Sequence, residues 1–484
     1  MADTPRIVFN GTPTTIDGVP ATTTLLDWLR DHACMRGTKE GCAEGDCGAC
    51  TVVLERLTGD GCLNRSAVNA CLTMVGQIDG AGVRTVEGLA RPDGMLHPVQ
   101  KAFAEGAGTQ CGFCTPGFVM AAYAFAVSAP SNEISLIHDA IAGNLCRCTG
   151  YRPIIEAISR VAPLKNDPLE QSESELRDAL AALSREGTAC FDFPGCRFFV
   201  PQSLPDALFL RSRMPDARLL TGGTDLALMV SQKRERIPSV IYLGKVRELL
   251  AIEDIDNHLV LGSAVTYTQA FEPLIGHYPH LQAYFTRIGS PQIRNLGTIG
   301  GNIGTASPIG DMLPILLALG ARLRLASHAR GEREIAAEEF FVDYRRTALA
   351  GDELIVAIAI PKPSPGSLSF FDKISKRRDQ DIASVCAAYN LVMEGGIVRQ
   401  MRIAFGGLAA TAKRAYDVES ALIDRPLSDE AVSDAARKLR QEFQPISDLR
   451  AGAQYRLTVA VNLLRRLALR VLDPSVGWDL DAYD

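Results

Sequence analysis

Eight cysteines in the first third of this sequence fall into two quartets, and each quartet has the spacing of an iron–sulfur ligand set. The first is Cys42, Cys47, Cys50 and Cys71, reading C-x4-C-x2-C and then a fourth cysteine after twenty intervening residues. That is the plant-type ferredoxin spacing. The second is Cys111 and Cys114, a C-x2-C pair, followed by Cys146 and Cys148, a C-x-C pair. Each quartet obliges the chain to bring four soft thiolates to one place, so the surrounding segments must fold around these loops. Two such sets on one chain imply serial one-electron transfer.

Gly41, Gly45 and Gly48 alternate with the ligands of the first quartet. Glycine tolerates φ > 0 and lets backbone N–H groups approach sulfur without a Cβ clash. Those N–H groups stabilise a reduced, more negative cluster. Glu44 and Asp46 would oppose that if they faced the sulfurs, so both are expected to point to solvent. Structural zinc is the alternative, since four-cysteine zinc sites also use C-x2-C knuckles. The glycine-rich x4–x2 loop favours iron–sulfur for the first quartet. The second quartet taken alone is compatible with zinc, and the presence of two quartets favours iron–sulfur for both.

At 484 residues the prior is two to four domains. With 47% apolar and 22% charged residues the composition is that of a globular protein. A net charge of -6 argues against a general nucleic-acid or membrane-surface binder. No signal-peptide pattern opens the chain and no run approaches eighteen apolar residues, so a cytoplasmic location without a membrane span is expected. In a reducing compartment thirteen cysteines are better metal ligands than disulfide partners. Cys34, Cys62, Cys190, Cys196 and Cys386 lie outside the quartets and are expected to be small buried hydrophobes.

The pattern predicts a multidomain α+β protein. Residues 6–16 read as a hairpin around Asn10-Gly11, Thr24 as the cap of a helix carrying Leu25, Trp28 and Leu29, and Thr51–Leu54 as a strand. This gives a plant-ferredoxin-like (β-grasp) domain over 1–82. A helical domain follows over 83–163, with Pro98, Pro116 and Pro153 in first turns and helices over 117–127, 133–143 and 153–161. Residues 164–197 read as a linker, in which 174–185 has the pattern of a short helix. Strands and helices alternate around Gly-rich turns over 198–376. The stretch 377–484 opens with strands over 382–393 and 398–405 and turns helical over 429–441 and 452–470.

The segments GCAEGDCGACTV (41–52), NACL (69–72), TQCGFCTPGFVM (109–120) and GNLCRCTGYRPI (143–154) resemble the iron–sulfur region of the molybdenum hydroxylases, the family of the xanthine dehydrogenases. LLTGGTDLAL (219–228), IGSPQIRNLGTIGGNIGTASPIGDMLP (288–314) and DKISKRRDQDIASV (372–385) resemble that family's flavin domain. The resemblance covers about 6–163 and 198–470. It implies two [2Fe–2S] clusters, one FAD, an FAD-binding α+β domain of the PCMH/CO-dehydrogenase flavoprotein type and a C-terminal α+β domain. The family's molybdopterin-binding region has no counterpart in these residues. The expectation is therefore the small subunit of a split bacterial xanthine dehydrogenase, paired with a molybdopterin-binding large subunit as a dimer of heterodimers. Electrons from hypoxanthine or xanthine oxidation would pass through the second quartet's cluster, then the first, then FAD, to NAD+. The same role in a hydroxylase of aldehydes, nicotinate or another N-heterocycle stays open, and a non-catalytic iron–sulfur sensor or scaffold is the remote alternative.

At the flavin, the TGGTD turn (221–225) offers consecutive N–H groups for a pyrophosphate, and a valine at Gly222 is expected to occupy the pyrophosphate's place. The glycine-rich stretch 297–311 is read as a second cofactor loop. By resemblance, Leu219, Leu220, Thr221, Gly222, Gly223, Thr224, Asp225 and Leu226 form the FAD phosphate loop, with Asp225 near the nicotinamide side. Thr298, Asn302 and Asp311 match contacts to the diphosphate and adenosine side. Ile355 matches an apolar contact to the flavin, and Lys373 a flavin-contacting lysine. Ile288 stands where animal members carry a phenylalanine, and Gln380 replaces an acidic residue near their flavin. Gln110, beside Cys111, matches a residue that faces the molybdopterin.

Overall fold

The structure is a computed structural model that describes residues 3–90, 94–128, 130–473 and 475. The outermost ends expected for the first and last domains, at 1–2 and 476–484, lie outside the described residues. The chain forms two compact units. The first comprises Met1–Arg247 with the short pieces Thr266–Thr268 and Gly289–Gly297, and the second Glu248–Val265, Gln269–Ile288 and Thr298–Asp484.

In the first unit, Arg6–Phe9 pairs with Thr12–Thr15 across Asn10 and Gly11, whose φ values of 49° and 87° are those of a type I′ turn. These strands join a five-stranded mixed sheet in the order Thr12–Thr15, Arg6–Phe9, Gly82–Arg84, Thr51–Leu57, Leu63–Asn69. The Thr24 hydroxyl accepts from the Asp27 N–H, as a cap should. The helix it starts spans only Leu25–Asp27 and widens into a π turn over Trp28–His32, which places Leu25, Leu26, Trp28 and Leu29 in the core.

The helices Pro98–Glu105, Thr115–Ser128, Ile134–Ile141 and Arg152–Val161 form the next layer. Pro98 stands first and Pro153 second in their helices, within the first turn where the missing N–H costs nothing. Thr115–Ser128 is apolar on every side and lies inside this layer, with Phe118, Met120 and Tyr123 buried.

The expected linker is largely structured. Glu173–Ala182 is helical, and Ala189–Phe193 is the first strand of a four-stranded sheet ordered Ala189–Phe193, Cys196–Val200, Ser239–Tyr242, Arg218–Leu220. This sheet shares one hydrophobic core with the ferredoxin-like layer: Phe191, Phe198, Val240 and Tyr242 pack in the same cluster as Leu25, Cys71, Met74 and Val75. A Cβ on Gly76 would lie 2.7 Å from the Phe198 ring, so the two layers meet in direct backbone-to-ring contact.

Among the described residues the second unit holds two larger sheets and the two-stranded pair Phe341–Asp343 with Arg346–Thr347. One runs Ile252–Ile255, His258–Gly262, Glu353–Pro361, Arg322–Ser327, Gly331–Ala336. The other is a meander of Ser367–Ile374, Val385–Glu394, Ile397–Gly406 and Lys413–Arg414, packed with the helices Tyr416–Leu422, Asp429–Glu442 and Ala453–Leu472 over Tyr389, Phe405, Leu439 and Leu464. Among the described residues, no helix is long and apolar enough to cross a membrane.

Candidate functional site

The first quartet lies on the loop between the π turn and the strand Thr51–Leu57, with Cys71 on a 3-10 turn after Leu63–Asn69. The sulfurs associate in pairs. Cys50 and Cys71 are 3.3 Å apart and both buried, while the Cys42 and Cys47 thiols shift each other's titration. In each pair one thiol is shifted down and the other up. The Cys47 contact and the N–H groups of Glu44 and Asp46 lower Cys42 to about 6, while the same contact and burial raise Cys47. The Cys71 thiol lowers Cys50, and the contact with Cys50 raises Cys71.

The glycines act as the sequence predicts. A Cβ on Gly41 would lie 2.7 Å from the Cys47 sulfur, and Gly45 and Gly48 have φ of +81° and +65°. The N–H groups of Glu44 and Asp46 point at the Cys42 sulfur, at 3.5 and 3.3 Å. Glu44 itself is exposed, but Asp46 is only half-exposed.

The second quartet repeats the pairing. Cys111 lies with Cys148, and Cys114 with Cys146. The Phe113 N–H and the Cys148 contact lower Cys111, which raises Cys148 in turn. Burial raises Cys114 to about 12; at Cys146 burial acts the same way but the Thr149 hydroxyl and N–H outweigh it. Cys111, Cys148 and Gln110 are exposed.

Among the described residues no group of three or more ligating side chains is placed to hold a single metal ion. A tetrahedral zinc needs four ligands around one centre. Sulfurs grouped two and two fit a cluster with two irons, each taking two thiolates.

Of the remaining cysteines only Cys196 and Cys386 are buried. Cys34 and Cys62 are exposed and Cys190 is half-buried, which corrects the expectation that all five are small core residues. Cys34 and Cys62 sit on turns, where the backbone rather than side-chain burial fixes the conformation; Cys34 has φ of 56°.

Leu219–Leu226 belongs to the first unit. Arg218–Leu220 is an edge strand, and the turn after it is braced on two sides. Gln77 Nε2 donates to the carbonyls of Thr221 and Gly222, at 3.3 and 3.2 Å. A Cβ on Gly222 would lie 1.9 Å from the Leu296 carbonyl oxygen. Gly222 therefore exists for backbone contact with Leu296, which corrects the expectation that a side chain there would fill the pyrophosphate's place. Gly223, at φ +91°, is the position whose conformation requires glycine. Among the described residues no acceptor takes the N–H groups of Gly222, Gly223 or Thr224. Buried N–H groups need partners, and three in succession fit a pyrophosphate.

Ile288, Thr298, Asn302, Asp311, Ile355 and Lys373 belong to the second unit. The glycine-rich stretch is a short helix, Ile299–Thr305, rather than an open loop. Thr298 caps it by accepting from the Gly301 N–H at 3.0 Å, and Ala306 ends it in the left-handed conformation. A Cβ on Gly300 would lie 2.4 Å from the Ser263 carbonyl oxygen, so that glycine serves packing, whereas Gly304 is open with Ile355 at 3.9 Å. Asn302 Oδ1 accepts from the Met312 N–H at 3.3 Å. Lys373 Nζ donates to Asp311 Oδ2 and to the Arg287 carbonyl, both at 2.7 Å, and Cys386 donates to the other Asp311 oxygen at 3.3 Å. Lys373 is thus a buried, paired lysine. Gln380 is also buried, with φ of 49° and neither side-chain amide atom partnered among the described residues.

Residues 7–76 match the 2Fe-2S iron-sulfur cluster binding domain, and residues 85–159 the [2Fe-2S] binding domain. Residues 192–363 match the FAD binding domain in molybdopterin dehydrogenase, and residues 371–471 the CO dehydrogenase flavoprotein C-terminal domain. The chain is homologous to the iron–sulfur and FAD module of the xanthine dehydrogenase and molybdenum-hydroxylase flavoprotein family. It is 33% identical to the xanthine dehydrogenase of Drosophila pseudoobscura pseudoobscura over 97% of this chain and 39% of that protein. With xanthine dehydrogenase 2 of Arabidopsis thaliana it shares 32% identity over 87% of this chain and 36% of that protein. The chain thus spans about two-fifths of the length of the curated relatives it matches. Among solved structures, quinoline 2-oxidoreductase from Pseudomonas putida 86 aligns with a TM-score of 0.54 and 27% identity, over 59% of this chain and 99% of that one. Reconstituted CO dehydrogenase from Oligotropha carboxidovorans aligns with a TM-score of 0.53 and 30% identity, over 55% and 94%. The family's module transfers electrons through iron–sulfur and FAD groups, and its domains are those of an oxidoreductase flavoprotein.

Gln77, Asn144 and Gln292 were not singled out by the sequence, although all three brace cofactor loops. Asn144 and Gln292 stand inside quoted motifs, two residues before Cys146 and within SPQIRN. That adjacency was the available signal.

Proposed function

We propose that this chain is the iron–sulfur and FAD subunit of a xanthine dehydrogenase whose molybdenum centre lies on a partner, the molybdopterin-binding large subunit. Cys42, Cys47, Cys50 and Cys71 hold one [2Fe–2S] cluster and Cys111, Cys114, Cys146 and Cys148 the other. The turn Leu219–Leu226 takes the FAD pyrophosphate. When bound, the clusters supply one-electron and the flavin two-electron chemistry, with NAD+ as the final acceptor.

The observation that carries this reading is the first cysteine loop, where the Cys50 and Cys71 sulfurs lie 3.3 Å apart and the Cys42 sulfur accepts from the Glu44 and Asp46 N–H groups. The partner's place is supported by the surface beside the second quartet. Phe113 and Leu145 are 46% and 42% exposed next to exposed Cys111, Cys148 and Gln110, an apolar patch around ligands that open to solvent. Lys373 contributes no free charge to the flavin in this reading, because Asp311 neutralises it.

The test is an assay of the purified chain. It should carry four irons and one flavin and oxidise NADH with an artificial acceptor, yet leave xanthine untouched without the partner. Turnover of xanthine by this chain alone would overturn the split arrangement. Absent NADH oxidation in flavin-replete protein would overturn the NAD+ assignment. A substrate screen of the complex with its partner separates xanthine from aldehydes and N-heterocycles.

A further inference from the structure

The two cysteine loops touch directly. The N–H of Leu145, next to Cys146, donates to the carbonyl of Cys47 at 3.0 Å. Behind this bond sits a closed set of side chains. Asn144 Nδ2 donates to the Gly48 carbonyl at 2.9 Å and lies 3.3 Å from the Thr51 hydroxyl. Thr51 Oγ1 donates to the same carbonyl at 2.6 Å. Gln292 Nε2 donates to Asn144 Oδ1 at 2.8 Å and to Thr51 Oγ1 at 3.3 Å. Asn144, Gln292 and Thr51 are 2%, 0% and 1% exposed.

The backbone leaves no slack around them. A Cβ on Gly48 would lie 2.2 Å from the Gly143 carbonyl oxygen, one on Gly117 2.2 Å from the Gly48 carbonyl oxygen, and one on Gly143 1.9 Å from Gln292 Oε1. Gln292 is held from outside: it stands on the short helix Pro291–Arg294, which Arg294 pins to Asp139 at 3.1 Å and Asn295 pins to the Ala67 carbonyl at 2.8 Å.

We propose that the Asn144–Gln292 amide pair is the positioning device that fixes the spacing of the two iron–sulfur loops. The proposal rests on the two-cluster reading above. Net stability does not explain the pair, because Gln292 Oε1 has no partner among the described residues and a buried unsatisfied oxygen is destabilising. What a buried polar set does supply is a single geometry, since the bonds among Asn144, Thr51, Gln292 Nε2 and the Gly48 carbonyl all form together in one arrangement only. Here that arrangement ties the loop of Cys47 and Cys50 to the loop of Cys146 and Cys148 through one carbonyl, that of Gly48.

The experiment uses the full chain with its iron and flavin, reduced, and reads the magnetic interaction between the two clusters by EPR. Q292M removes the amide at similar volume. T51V removes the shared hydroxyl, and T51S restores it. The expectation is that Q292M and T51V keep their iron and both cluster signals but show an altered inter-cluster splitting, while T51S matches the parent. Loss of a hydrogen-bond partner directly behind a metal ligand commonly costs about 10- to 100-fold in affinity or activity. The Gly48 carbonyl is one residue from Cys47 and not itself a ligand, so transfer from the second cluster to the first should slow by the lower figure, about tenfold. Unchanged splitting and unchanged rate in iron-replete Q292M and T51V would overturn the proposal. If Q292M does not fold, T51V against T51S decides. A parent protein lacking two cluster signals would instead defeat the two-cluster reading.

Discussion

Lys373 and Asp311 form a buried ion pair, Nζ to Oδ2 at 2.7 Å, with Lys373 only 2% exposed. The Arg287 carbonyl and the Cys386 thiol complete the shell. Breaking a buried pair leaves an uncompensated charge and costs about 3–5 kcal/mol, whereas removing both partners costs much less. K373M should therefore lower stability sharply, and the double variant K373M/D311N should recover most of the loss. Denaturation curves of both, with flavin content measured alongside, check this. Equal stability of single and double variants would show that the pair is not coupled.

Cys47 shares its pair with Cys42 on the loop that wraps the first cluster. C47S should remove one EPR signal of the reduced protein and leave the other, because the second quartet lies on separate helix ends. Iron analysis should show a loss confined to one cluster. Both signals surviving in folded C47S would mean that Cys47 is not a ligand.

The side of Gly222 where a Cβ would stand faces the Leu296 carbonyl. Even alanine should be excluded, since a Cβ there would sit 1.9 Å from a backbone oxygen. G222A should cost about 1–3 kcal/mol through overpacking, and its flavin should fall together with its melting temperature. Loss of flavin at unchanged stability would restore the ligand-exclusion reading.

Glu353 accepts from Arg333 Nε and Nη2 at 2.7 and 2.8 Å and from the Ala350 N–H at 2.8 Å. The Arg333 hydrogen bonds, opposed by burial, hold its carboxyl at about 2 against an ordinary 4.5. A depressed acid stabilises fully above its ordinary value and loses that stabilisation as pH falls through its folded value. E353Q should cost about 2 kcal/mol near neutrality, and its deficit against the parent should shrink as pH drops from 4.5 towards 2. A deficit independent of pH would rule out the ionic contribution.

The clearest parts of the sequence were those where local chemistry decides. The Asn10-Gly11 turn, the Thr24 cap and the glycines beside the first-quartet cysteines each need only neighbouring residues, and each stands where expected. The helices of the second layer were readable because proline marks two of their starts. What escaped was whatever depends on distant partners. Ala189–Phe193 pairs with the adjacent strand Cys196–Val200, but the core it packs into, with Leu25, Met74 and Val75, comes from far along the chain, and that is why it looks like linker. The glycines of 297–311 look like a cofactor loop, yet Gly300 answers to Ser263. The turn at 219–226 was legible as a motif, but the reason for Gly222 was not, since Leu296 lies far along the chain.

The common core that joins Phe191, Phe198 and Tyr242 to Leu25, Met74 and Val75 sets where this protein can be cut. A chimera that exchanges the iron–sulfur half at residue 163, where the helical layer ends, would sever that core and expose the Phe198 face. A crossover near Arg247 would keep Phe191, Phe198 and Tyr242 with both cysteine loops and the Thr221–Asp225 turn, but would still leave behind Leu296 and Gln292, which belong to the same unit. Modular exchange among relatives is thus constrained by which apolar surfaces travel together, and the natural unit of exchange is larger than the ferredoxin-like domain that gives the chain its signature.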